Sequence, residues 1–167
     1  MDANDLTILI KEMEADCAVA RATAQEVARH LSLRRYETSA SEFSRFCKVL
    51  ERILERIFQS YENEYRERGV NREMLQKNAP DLKERIRREF VPTGSMDCLW
   101  ELDDLNDFFL KAKPPKFGYA FAFRHGSNKM SYDNFMKSAA IAGRISVELP
   151  TWVADFETNL RKRKGWI

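Results

Sequence analysis

Between residues 42 and 68 apolar side chains return every three or four positions, at Phe43, Phe46, Cys47, Leu50, Ile53, Leu54, Ile57, Tyr61 and Tyr65. At about 100° per residue this gathers them on one broad helical face, and a face of that width needs a packing partner. Ser41 is the expected N-cap and Gly69 the expected left-handed close. A second series, Leu6, Ile10, Met13, Cys17, Ala20, Ala24, Val27 and Leu31, alternates by four and three across residues 5–33 as a heptad seam. Its middle, with Cys17, Ala18, Ala20, Ala22 and Ala24, is small enough to admit a close neighbour. The short SLRRYETSA connection makes the large-residue face of 42–68 that neighbour, in an antiparallel hairpin. The same seam also suits pairing with its copy in another chain.

From residue 71 the pattern weakens. Pro80 divides NREMLQKNAPDLKERIRREF into short helices over 71–79 and 81–90, the second striped by Leu82, Ile86 and Phe90 with Lys83, Arg85, Arg87 and Arg88 on its other sides. VPTGS reads as a loop. A helix over 96–112 turns Leu99, Leu102, Leu105 and Phe109 inward and Glu101, Asp103, Asp104 and Asp107 outward, and the prolines of KPPKFG end it. In FGYAFAFR the aromatics Phe117, Tyr119, Phe121 and Phe123 alternate with small residues at period two, which predicts a strand. A lone strand needs an unseen partner, another subunit or a bundle to lie on. Ser131 then caps a helix from Tyr132 to about Ile145 that buries Phe135, Met136 and Ala139. Pro150 and Thr151 start a last helix with Trp152, Val153, Phe156 and Leu160 inward. The expected fold is mainly α, a helical bundle built on a long antiparallel helix hairpin, with one small aromatic extended or β element near 117–124. It forms a single domain over 1–167, with a bundle core at 1–112, an extended loop or strand at 113–130 and two C-terminal helices at 131–167.

Composition narrows the function. At 167 residues and 44% apolar content the chain closes one core, and 6 Gly with 5 Pro leave no room for long linkers. A net charge of +2 supplies no whole-molecule field to steer it to nucleic acid or an anionic membrane, so any such binding is local. Cys17, Cys47 and Cys98 form no CxxC and read as reduced small hydrophobes. MDANDLTILIKEME carries acids where a secretion signal carries bases, and its apolar run is short of a membrane span, so a soluble cytoplasmic location is expected.

Candidate chemistry is sparse. With two histidines and no HExxH, GxGxxG or GxxxxGK[ST], no metal and no cofactor are expected. The acid pairs Asp103 with Asp107 and Glu12 with Asp16 share helical spacing, but inward Glu-x-x-His partners for a di-metal centre are absent. Arg124 and His125 follow the aromatic segment and precede a glycine turn, near Ser127, Asn128 and Tyr132. Arg124 there is suited to clamp a phosphate or carboxylate and His125 to move a proton, or both are simply solvated. His30 fits the dipole at the end of the first helix. Arg45, Lys48, Arg52 and Arg56 form a basic strip beside Glu51, Glu55 and Glu62, which is either a solvated face laced by ion pairs or a phosphate-facing strip. Arg161, Lys162, Arg163 and Lys164 with Trp166 combine cations and a stacking ring as phosphate sites do, or complement the last helical carbonyls.

The order of a long helix, SEFSRFCKVLERILERI, NREMLQKNAP and LWELDDLNDF, over about residues 5–110, resembles the HepT-like branch of the HEPN helical-bundle proteins. The resemblance implies a dimeric bundle, often partnered with a nucleotidyltransferase in a toxin–antitoxin pair, whose active members cleave RNA with an Arg followed further along by a His. Here His125 directly follows Arg124, with Asn128 and Tyr132 beyond, so the resemblance implies binding rather than cleavage. The expected function is a non-enzymatic helical interaction module, in a homodimer or with a protein partner, as in a toxin–antitoxin or defence-type system. The alternative is a divergent HEPN-like RNase or nucleic-acid-binding protein using Arg124, His125, Tyr132 and the basic tail.

Overall fold

A computed structural model describes residues 1–67, 91 and 93–167. The first helix, α1 (Ala3–Ser32), opens on two acids that cap each other: the Asp2 carboxylate accepts from the Asp5 amide at 2.8 Å and the Asp5 carboxylate accepts from the Asp2 amide at 3.0 Å. Two otherwise orphaned N–H groups are thereby satisfied. At the other end Arg34 takes a left-handed conformation, φ 59°, and the chain turns straight into α2 (Tyr36–Glu67). Three further helices follow among the described residues: α3 (Thr93–Lys111), α4 (Tyr119–Arg124) and α5 (Lys129–Arg163).

The α2 helix begins ahead of the expected cap. Ser41 lies inside it and its hydroxyl donates to the Glu37 carbonyl at 3.1 Å. Upstream, Tyr36, Ser39 and Phe43 continue the inward face, and the fully buried Ser39 hydroxyl donates across to the Val27 carbonyl of α1 at 2.9 Å. A polar residue on the buried stripe hides these turns from hydrophobic periodicity. Gly69 and the helices expected over 71–79 and 81–90 lie outside the described residues.

Ser39 meets Val27 while Arg56 reaches Glu12 and Asp16, so α1 and α2 form the expected antiparallel hairpin. The heptad seam of α1, Leu6 to Val27, is buried, and α1 packs its length against both α2 and α5. Near the far end of α5, Arg161 donates to Thr7 of α1 and the Phe156 ring meets Tyr61 of α2 with centroids 5.7 Å apart. On the outside, α3 lies along α5, with Ser95 donating to Glu148 and Phe109 against Phe135.

Two further segments differ from expectation. The C-terminal segment is not two helices: α5 is continuous through Pro150, and Ser131 lies within it, after Asn128 as N-cap. A proline inside a helix costs about 3 kcal/mol, but each fully buried large apolar side chain contributes roughly 1.5–3 kcal/mol. Ile145, Leu149, Trp152, Val153 and Phe156 are buried on both sides of Pro150, so packing prevails. Met136, expected inside, is 48% exposed.

The second correction concerns the aromatic segment, since residues 119–124 form the helix α4 and not a strand. Spacing by two contains spacing by four, and the helix splits the aromatics into two pairs. Tyr119 and Phe123 turn inward onto Phe135 and Tyr36, whereas Phe117 and Phe121 turn outward with ring centroids 5.3 Å apart. Glu37 of α2 supplies the missing cap, its carboxylate accepting from the Tyr119 amide at 3.1 Å. Gly118, at φ 85°, allows the approach, since a Cβ there would stand 3.3 Å from that carboxylate oxygen.

Candidate binding pocket at the α4 end

Beside α4 the turn between α1 and α2, the end of α4 and the first turns of α5 enclose a cavity of about 600 Å³. Each wall is set by local backbone chemistry. Arg34 is brought to it by its left-handed turn, held by hydrogen bonds from the Arg34 amide to Leu31 and from the Arg35 amide to His30. The end of α4 is closed by the Ser127 amide and hydroxyl, both donating to the Ala122 carbonyl, with Gly126 at φ 72° and Asn128 at φ 57° completing the reversal into α5. That reversal puts Arg124 and Ser127 on one wall and Lys129, Tyr132 and Asp133 on the next, over a floor of Tyr36 and Phe123.

Arg34, Arg124 and Lys129 are exposed at this pocket, and none makes an ion pair or side-chain hydrogen bond among the described residues. Among the described residues Asp133 is the one acid on the lining. Three cations from three separate elements over aromatic rings suit an anionic group joined to an apolar body. The helix adds to the field: α5 begins with no side-chain cap hydrogen bond and no acid in its first turn.

The sequence-predicted candidates separate here. Arg124 and Tyr132 share the pocket, but His125 is not on its lining; its ring lies against Phe121, centroids 4.3 Å apart. In the basic strip, Arg52 and Arg56 both hold Asp16 of α1, at 3.1 and 3.0 Å, and Arg45 holds Glu42 at 3.1 Å. Lys48 lines a second cavity, about 580 Å³ between α2 and α3, floored by leucines and rimmed by Glu51, Glu55, Asp103, Asp104 and Asp107. In the tail, Arg161 bonds Glu157 and Thr7, Arg163 reaches Glu64 at 3.6 Å above the Tyr61 ring, and Trp166 packs on the main core. These two side chains and Trp166 fasten the end of α5 to the bundle, while Lys162 is exposed.

The remaining chemistry is internal. Asp16 and Asp107 are engaged by cations, and among the described residues no group of three His, Cys, Asp or Glu is arranged to hold a metal ion. His30 is buried, with Nε2 3.2 Å from Glu26 and Nδ1 without a hydrogen-bond partner among the described residues. All three thiols are buried and free, and burial pushes Cys17 up to about 11 and Cys47 up to about 12. Sequence reasoning missed Arg34, Tyr36, Phe123 and Lys129 as a set, because they come from segments whose meeting depends on the hairpin turn and on α4 being helical.

Fold and pocket together define the class: an all-helical bundle, among the described residues, with a cation-bearing, aromatic-walled pocket at one end. Comparison with protein-family models, curated proteins and solved structures finds no match to the chain. Among the described residues no helix is long and apolar enough to cross a membrane.

Proposed function

We propose that the chain is a helical interaction module whose contact surface is the α4 end, engaged in a homo-oligomer or by a partner protein. The observation that carries this is where large apolar side chains are left in water. Leu110, Phe117, Phe121, Met130, Tyr132 and Met136 are each 42% or more exposed and fall between the end of α3 and the first turns of α5. Ring contacts of Phe109 and Tyr119 with Phe135, and of Phe123 with Tyr132, draw those segments together. Single exposed hydrophobics are ordinary; a concentration of them marks a contact surface. The resemblance to HepT-like proteins supports a partner within a toxin–antitoxin or defence-type system.

The test compares the wild type with a Phe117→Ser/Phe121→Ser variant, by sedimentation velocity and by affinity capture from the source cells. Self-association or a stoichiometric companion is expected for the wild type and lost in the variant. Identical behaviour of the two proteins defeats the proposal.

A second reading, nucleic-acid binding or cleavage, is favoured by Arg34, Arg124 and Lys129 gathering over aromatic rings. Against cleavage stands the His125 ring on Phe121, which leaves Arg124 without an imidazole on the same pocket wall. A mixed RNA should therefore survive incubation with the wild type. Degradation that stops in the Arg124→Ala/His125→Ala variant establishes the second reading instead.

A further inference from the structure

We infer that the pocket at the α4 end takes an acidic segment of a partner protein, with a large apolar residue set beside its carboxylates. This rests on the α4 end being the contact surface and names the chemistry of what it contacts. Elsewhere in the bundle several arginines already hold the chain's own acids: Arg52 and Arg56 hold Asp16, and Arg161 holds Glu157. In this pocket cations from three elements converge with no carboxylate bound to any of them among the described residues. Unpaired like charges gathered on one cavity repel each other, and an incoming carboxylate relieves that repulsion while accepting charge-assisted hydrogen bonds.

The cavity also selects the rest of the ligand. About 600 Å³ walled by Tyr36, Phe123 and Tyr132 is room for a large apolar side chain. The exposed Phe117 and Phe121 on the outer face of α4 extend the apolar contact past the pocket, as protein interfaces do around a buried anchor.

A nucleic acid fits the same observations less well. A phosphate chain is followed by cations strung along a groove. Here Arg45, Arg52 and Arg56 of the helical basic strip are paired to the chain's own acids, the net charge is only +2, and Asp133 sits on the pocket wall, where it repels a dense polyanion. A peptide, by contrast, brings backbone N–H groups that can donate to the Asp133 carboxylate.

The probe is a short fluorescent peptide of alternating Glu and Leu with one Trp, read by anisotropy against the full chain. Its comparisons are the same peptide with Gln for Glu, and single-stranded oligouridylate. The acidic peptide should bind, with the Gln peptide at least about tenfold weaker. Arg124→Gln and Lys129→Gln should each weaken binding at least about tenfold, since each removes a charge-assisted hydrogen bond to a carboxylate. Arg21→Gln, on an exposed face of α1, should change nothing. Circular dichroism confirms the fold of each variant, and if one pocket variant does not fold the other decides. Equal binding of the Gln peptide, wild-type affinity in the pocket variants, or oligouridylate displacing the peptide at lower concentration overturns the inference. Failure of the peptide while capture still depends on Phe117 and Phe121 removes the acidic-segment assignment alone. Peptide binding as expected, with capture indifferent to those rings, removes the α4-end docking proposal and keeps the pocket.

Discussion

Replacing Phe135 is the sharpest test of how the pocket is built. The ring is fully buried and stands against four others, Phe109 at 4.9 Å, Tyr119 at 5.0 Å, Tyr36 at 5.3 Å and Phe123 at 5.9 Å between centroids. Phe135→Ala removes the transfer energy of the ring and leaves a cavity, together about 3–5 kcal/mol. Against a total stability on the order of 5–15 kcal/mol this is a large fraction. For a chain of this size the melting temperature should fall by roughly 10 °C. Phe135→Leu keeps most of the volume and forfeits the ring-edge contacts, each worth about 0.5–1.5 kcal/mol. These share one ring and do not add, so roughly 1–2 kcal/mol is expected for the Leu variant. Urea denaturation followed by circular dichroism gives both values. Hydrogen exchange locates the damage, and the amides of α4 should lose protection in the Ala variant. A loss under about 1 kcal/mol in Phe135→Ala, or unchanged exchange in α4, would show that the ring cluster is not what holds α4 to the bundle.

Two further outcomes follow from the same geometry. Gly118→Ala should destabilise the protein by more than Gly126→Ala: both positions have positive φ, costing an L-residue about 1–2 kcal/mol, but only the Cβ at 118 meets the Glu37 carboxylate, at 3.3 Å, while nothing lies within 4 Å of one at 126. Paired urea melts measure the difference, and equal losses would remove the contact from the account. In alkali, Cys17 and Cys47 keep their protons in the native state up to about 11 and about 12 against an ordinary 9.0, and burial with the Glu37 carboxylate raises Tyr119 as well. Raised native values mean that the unfolded chain ionises first, so this stability is fully present below about pH 9 and is lost as pH rises through 11 to 12. Urea midpoints measured across that window should fall with pH, and a smaller fall in Cys47→Ala checks the assignment; a flat profile refutes it.

The main core was legible because its signal is local. The stripe from Leu6 to Val27 and that from Phe43 to Tyr61 are each read from spacing alone, and both are buried against one another. What spacing cannot carry is pairing between distant segments. Arg45, Arg52 and Arg56 share a helical interval whether they face phosphate or carboxylate, and only the hairpin brings Asp16 under two of them. Pro150 is a local stop that buried residues on either side override. The pocket was half visible: Arg124 and Tyr132 stand out beside a glycine turn, but Arg34 lies ninety residues earlier by number and reaches them only through tertiary structure.

The outward aromatics are the part of the sequence that folding does not account for. A six-residue helix has no stability of its own in water, so α4 is helical because Glu37 caps it and because Tyr119 and Phe123 dock on Phe135. Those inward rings fix the rotation of the helix. Once it is fixed, positions 117 and 121 face solvent, where a polar residue would leave the cap and the ring cluster untouched. Phe117 and Phe121 touch each other there, a contact worth about 0.5–1.5 kcal/mol at most, while 69% of one and 46% of the other stay in water. Two large rings held outward by a helix that other residues stabilise make sense as a surface meant for contact. Their position beside three cations that hold no ion pair among the described residues then gives that contact its chemistry, apolar along the outer face of α4 and anionic where Arg34, Arg124 and Lys129 converge.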